Sequence, residues 1–177
     1  CLESLVIMPD VHGGYSLPIG AVALLDNYIW PAAVGYDIGC GMCHVNTKKG
    51  LDELPDLKDI VFRIKTNIPV GFNENNSPDN NFIKFPNASK IAAVNEAVRS
   101  KASMQLGTLG GGNHFIEIGV NSVGHVGVTI HSGSRRPGWM IADLYMKLTN
   151  SRPVPIGCDV AAQYLADMRW ALTYALD

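Results

Sequence analysis

Short apolar, β-branched runs bounded by turn residues alternate along this chain with stretches in which apolar residues return every three or four positions. The first pattern predicts strands near Leu5–Met8, Gly20–Leu25, His114–Ile118 and Val126–His131. The second predicts helices over Leu54–Lys65, Lys90–Gln105, Trp139–Leu148 and Asp159–Leu176. Strands and helices mix without a regular βαβ rhythm, so the expected class is α+β rather than a doubly wound sheet. The Asn-, Gly- and Pro-rich segment GFNENNSPDNNFIKFPN, Gly71 to Asn87, reads as a long exposed loop. No internal repeat or linker divides the chain, which predicts one core over residues 1–177.

The two ends suggest a piece of a longer protein. The chain opens at Cys1 inside an apolar run, CLESLVIMPD, that reads as a strand already under way. Its last stretch, DVAAQYLADMRWALTYALD, is strongly helical, lacks a Gly, Asn or Pro stop signal and ends on an acid where the helix dipole favours a base.

Composition changes this picture only a little. With 47% apolar and 17% charged residues in 177, the chain has the make-up of an ordinary globular domain rather than a disordered or fibrous one. Apolar runs such as AVALL are far too short to span a membrane, and no charged-then-apolar leader opens the sequence, so a cytoplasmic address without a membrane partner is expected. A formal net charge of −2 and a pI near 6.2 give no overall basic field, so a nucleic-acid partner would need a local patch. The 4 cysteines are irregularly spaced, which predicts free thiols, at least one of them chemically employed, rather than a disulfide framework.

Reactive side chains gather in Gly-punctuated segments: MPDVHGGY (Asp10, His12), GYDIGCG (Asp37, Cys40), LGGGNHFIEI (Asn113, His114, Glu117) and TIHSGSRR (His131, Ser134, Arg135, Arg136). Most adjoin a predicted strand end, where a rigid sheet holds ligands accurately. A carboxylate, a thiolate and two imidazoles supply mixed O, S and N donors suited to a transition metal. Asp37 and Cys40, three apart, can meet one ion across a tight turn, and a thiolate can bridge two ions. The run Gly110-Gly111-Gly112 can expose backbone N–H groups to an anion, and HSGSRR adds guanidiniums suited to phosphate oxygens. The stretch GYDIGCGMCHVN also supports other readings: Cys40 to His44 spells the haem-attachment pattern CxxCH, and Cys40 with Cys43 reads as a redox pair or half a zinc site.

PDVHGGYSLPIG, GYDIGCGM, LGTLGGGNHFIEI and HSGSR, in this order and at these spacings, resemble the RtcB-type RNA ligases, GTP-dependent enzymes of tRNA splicing and RNA repair. The resemblance runs from about Leu5 to the last residue and stops short of the family's C-terminal portion. It implies an α+β fold of packed mixed β-sheets flanked by helices. It also implies that Asp37, Cys40 and His114 hold one manganese ion, and that Cys40 and His131 hold a second together with a histidine from beyond Asp177. By the same resemblance Asn113, His114 and Glu117 belong to the guanylate site, Asp10 orients the nucleophilic histidine and Arg135 contacts phosphate or RNA. That nucleophile matches no histidine of this chain. The implied cofactors are two Mn2+ and GTP, and the implied partners are RNA 3′-phosphate or 2′,3′-cyclic phosphate ends and 5′-hydroxyl ends. Cys43 and His44 are not functional positions in the family pattern. An inactive metal-containing module that binds RNA or nucleotide is the alternative. Tyr15-Ser16 and Arg136-Pro137-Gly138-Trp139 depart from the family pattern and leave RNA-end preference open.

Overall fold

The computed structural model describes residues 2–79 and 92–176. Strand β1 (Leu2–His12) pairs antiparallel with β2 (Ile19–Leu25) as a hairpin. Strand β3 (Tyr28–Ile29) leads into the short helix α1 (Pro31–Val34), then β4 (Gly41–Gly50), a 3-10 turn at Leu51–Glu53 and helix α2 (Leu57–Asn67). Helix α3 (Ala92–Gln105), strands β5 (Phe115–Val120) and β6 (His125–Ser132), helix α4 (Arg135–Leu148), strand β7 (Val154–Pro155) and helix α5 (Asp159–Leu176) complete the order. The strands form the β1–β2 hairpin, a β3–β7 pair and a three-stranded antiparallel sheet ordered β4-β6-β5. The class is α+β, as the pattern of the sequence predicts.

The core is largely helical. Helix α4 packs on α3 and α5, and Ile38, Val98, Ala102, Ile141, Ala142, Tyr145, Tyr164 and Ala171 are buried there. Two tyrosine hydroxyls are satisfied inside it: Tyr145 donates to Asp167 Oδ2 at 2.6 Å and Tyr174 donates to the Ala102 carbonyl at 3.0 Å. The β1–β2 hairpin contrasts with this core, since β1 is exposed along its whole length and Val6, Ile7, Val22 and Leu24 all face solvent.

Several boundaries differ from those the sequence suggests. Strand β4 is absent from the sequence expectation, because GMCHVNTKKG mixes Cys, His, Asn and Lys and lacks the apolar half of a strand's alternation. It forms because it pairs along β6 from Gly41↔Ser132 to Asn46↔Gly127. Helix α2 starts at Leu57 rather than Leu54, since the Asp56 side chain caps it by accepting from Lys58 N–H at 2.8 Å. Helix α4 starts four residues before the expected Trp139, with Pro137 tolerated in the first turn, where no intrahelical donor is lost. Of the expected Gly71–Asn87 loop, residues 71–79 are turns and bends fastened to the end of α3, with Asn75 N–H on the Met104 carbonyl and Asp79 N–H on that of Ser103. Residues 80–87 of that loop lie outside the described residues, as do 90 and 91 of the expected Lys90–Gln105 helix. Among the described residues, no helix is long and apolar enough to cross a membrane.

Candidate metal centre

Asp37 and Cys40 are brought together by a β-turn, closed by Cys40 N–H donating to the Asp37 carbonyl at 3.1 Å. Its third residue, Gly39, has φ +80, in the left-handed region where a side chain is strained. A Cβ there would also stand 2.9 Å from the Ala175 side chain, so helix α5 backs the turn closely. Ile38, buried in the core, anchors the turn between Asp37 and Cys40.

The imidazoles arrive from the sheet. His131 is on β6, opposite Met42 of β4 and Phe115 of β5, while His114 immediately precedes β5. The ligand atoms of Asp37, Cys40 and His114 all lie within 4.8 Å of one another. His114 Nε2 is 3.0 Å from Asp37 Oδ2, and Cys40 Sγ is 3.0 Å from His131 Nε2. All four expected metal ligands therefore meet at one place.

The tautomer of His114 follows from its other nitrogen. Nδ1 lies 3.0 Å from the Leu109 carbonyl, which can only accept, so Nδ1 carries the hydrogen. In the neutral ring Nε2 then turns a lone pair toward the Asp37 carboxylate, an arrangement of two acceptors that calls for a cation, either a proton or a metal ion. Metal-binding histidines are oriented in this way, by a carbonyl behind the ring. Ser132 Oγ donates to the same Leu109 carbonyl at 2.8 Å and helps to fix it. Burial, then the hydrogen bond and charge of Asp37, push the Cys40 thiol up to about 11. A metal must therefore displace a proton to gain this ligand. The oxygen, sulfur and nitrogen donors of Asp37, Cys40 and His114 fit one transition metal, and His131 Nε2 stands beside the same sulfur.

The CxxCH pattern comes apart in space. Cys40 faces His131, whereas Cys43, paired with Ile130, lines a separate apolar cavity of about 250 Å3 with Ile116 and Ile130. His44 turns to Thr129, its Nδ1 2.9 Å from Oγ1. Neither Cys43 nor His44 belongs to the group that meets at Asp37, Cys40 and His114.

Arg135 sits beside the centre in a strained conformation, φ +57. Its Nε donates to Thr108 Oγ1 at 3.1 Å and its Nη2 to the Gly71 carbonyl at 2.7 Å. Burial lowers its pKa from the ordinary arginine value, while Tyr174, Asp37 and Glu74 favour the charged form. Gly110, φ +99, makes room for it: a Cβ there would strike Arg135 Nη1 and His114 Nδ1. Asn113 is exposed in the turn that precedes His114, and Glu117 is exposed on β5, opposite Thr129 on the face that carries His131. Asp10 stands exposed on the β1–β2 hairpin, where its carbonyl meets His12 Nδ1 at 2.7 Å. The hairpin loop reaches the border of the site through Tyr15, whose ring meets Tyr36 edge-on at 5.2 Å. Sequence reasoning gave no role to Thr108, Gly71 or the Leu109 carbonyl, which act through backbone or a single hydroxyl.

The family model for tRNA-splicing ligase RtcB matches residues 1–88 and 84–177, in effect the whole chain. The chain belongs to the RtcB family. A tRNA-splicing ligase RtcB of Nanoarchaeum equitans is 32% identical over 83% of this chain and 41% of its own length. The RNA-splicing ligase RtcB of Escherichia coli K12 is 34% identical over 82% of this chain and 40% of its own, and the Thermococcus kodakarensis protein is 27% identical over 96% and 48%. The chain thus spans less than half the length of these RtcB relatives.

Proposed function

We propose that this chain forms part of a manganese- and GTP-dependent RNA ligase, which joins RNA 3′-phosphate or 2′,3′-cyclic phosphate ends to 5′-hydroxyl ends. The observation that carries the reading is the convergence of Asp37, Cys40 and His114, with Cys40 Sγ also 3.0 Å from His131 Nε2. Asp37, Cys40 and His114 would hold one ion, and Cys40 with His131 would hold the second. When bound, the ions supply Lewis-acid polarisation of phosphoryl oxygens and neutralise charge on the departing group.

The chain's own residues have distinct parts in this reading. His114 is held by the Leu109 carbonyl so that Nε2 faces the centre. Arg135 commits two of its donors to Thr108 and Gly71, which fixes the guanidinium and aims positive charge at a phosphate in the site. Asn113 and Glu117 contact the guanylate, and Asp10 orients the histidine that takes it up. In the overall reaction water first opens a 2′,3′-cyclic phosphate to the 3′-phosphate where one is present, that histidine displaces pyrophosphate from GTP, the GMP passes to the RNA 3′-phosphate, and the 5′-hydroxyl attacks the activated end, releasing GMP. No residue described here is assigned as the nucleophile.

The test uses the full-length protein with manganese, GTP and RNA strands ending in 3′-phosphate and 5′-hydroxyl. Joining should occur, and Asn113→Ala should reduce both GTP consumption and joining on the order of 100-fold, as loss of a contact made in the transition state does. Metal and RNA binding without any joining would instead identify an inactive binding module.

A further inference from the structure

A cavity of about 720 Å3 includes Asp37 and His114 of the candidate metal centre in its lining, together with Phe72, Trp139 and Arg136. Its volume suits a single nucleotide unit rather than a folded partner. Phe72 is 101% exposed, yet the segment that carries it is pinned at both ends. Gly71 N–H donates to the Gly110 carbonyl at 2.7 Å, its own carbonyl accepts from Arg135, and Asn75 N–H donates to the Met104 carbonyl at 2.8 Å. In the same lining the Arg136 guanidinium lies 3.9 Å from the centre of the Trp139 ring, which is itself stacked on Tyr36 at 5.3 Å.

The Phe72 segment and the start of α4 are mechanically linked. The buried Gln105 accepts from Arg136 N–H at 2.9 Å and donates to Glu74 Oε1 at 3.0 Å, and Glu74 also pairs with Lys101 at 3.0 Å. One hydrogen-bond chain thus joins the Phe72 segment to the start of α4. A flat ring with nothing against it is a stacking platform for any base, and a guanidinium laid on an indole keeps its N–H edge for phosphate oxygens. Lys101, Arg135 and Arg136 outnumber Asp37 and Glu74 around the cavity, so its charge favours an anion.

We infer that this cavity is the subsite for the nucleotide next to the reacting RNA end, with Phe72 stacked on its base and Arg136, braced by Trp139, on its phosphate. The inference rests on the reading of the site as one that acts on RNA ends. It makes Phe72 and Arg136 determinants of strand binding.

The experiment measures equilibrium binding of a fluorescently labelled single-stranded RNA ending in 3′-phosphate to the full-length protein with manganese, across a range of salt, alongside RNA joining by the wild type. Phe72→Ala should weaken binding on the order of 10-fold, as loss of one stacked base does. Arg136→Gln should weaken it and make the logarithmic salt slope shallower by about 0.7, the value for one phosphate contact on a single strand. Phe62→Ala, which removes an exposed ring on α2 away from the cavity, serves as the control and should bind like wild type. Phe72 makes no buried packing, so its variant tests the site without threatening the fold. Wild-type joining together with unchanged binding by Phe72→Ala and Arg136→Gln overturns the inference and leaves the ligase reading standing. Wild-type RNA binding that depends on both residues, without joining, supports the inference and counts against the ligase reading.

Discussion

Cys40 is the residue on which the most chemistry turns. Its sulfur is the soft donor near both the Asp37–His114 pair and His131, and its thiol is held protonated, pushed up to about 11. The direction of the resulting pH dependence follows from proton competition. Below the raised pKa the thiol must lose a proton when a metal binds, so apparent metal affinity rises with pH, about tenfold per unit for that one proton. For folding without metal the sign is opposite, because a raised thiol pKa gives stability that is present below its unfolded value near 9.0 and lost as pH rises through about 11. Manganese titrations at pH 7, 8 and 9 should therefore show steadily tighter binding, and an affinity independent of pH would mean that the thiolate is not a ligand. The same donor set predicts that zinc displaces manganese at equal concentration, since thiolate and imidazole favour zinc in raw affinity.

At the scale of elements, helices α4 and α5 hold the site from behind, and their tyrosines separate two kinds of buried hydroxyl. Tyr145 spans from α4 to Asp167 on α5 at 2.6 Å, whereas the buried hydroxyl of Tyr164 has no hydrogen-bond partner among the described residues. Tyr145→Phe should cost about 1–3 kcal/mol, because it leaves a buried carboxylate short of a donor, while Tyr164→Phe should be near neutral or stabilising. Urea denaturation of the two variants checks the contrast, and equal losses would contradict it. This part of the molecule was legible in the sequence: the three-to-four-residue apolar rhythm locates α5 and most of α4. Strand β4 was not, because its residues become a strand only through pairing with β6, a tertiary effect that local periodicity does not carry. The same division runs through the site. Asp37, Cys40, His114 and His131 are readable as donor types beside glycines, and the structure brings them together. Their supports, the Leu109 carbonyl, Thr108 and the Gly71 carbonyl, are generic groups that acquire meaning only from position.

Across the whole molecule the candidate centre lies where separate elements end together: the turn before β4, the last residues of β6, the approach to β5 and the first turn of α4. At such a junction the sheet, together with a turn anchored in the helical core by Ile38, fixes the donor positions. The three-stranded sheet contributes on its His131 face, while Cys43 and Ile130 on the other face line an apolar cavity. In the proposed reading one thiolate, Cys40, would serve two manganese ions, and Cys43 would have no part in holding them. The most direct measurement is a manganese titration of the full-length protein, with unbound ion followed by electron paramagnetic resonance, on wild type, Cys40→Ala and Cys43→Ala. Two ions per chain for wild type and Cys43→Ala, with both lost from Cys40→Ala, is the predicted result. Equal losses in the two variants, or two ions still bound by Cys40→Ala, would contradict it.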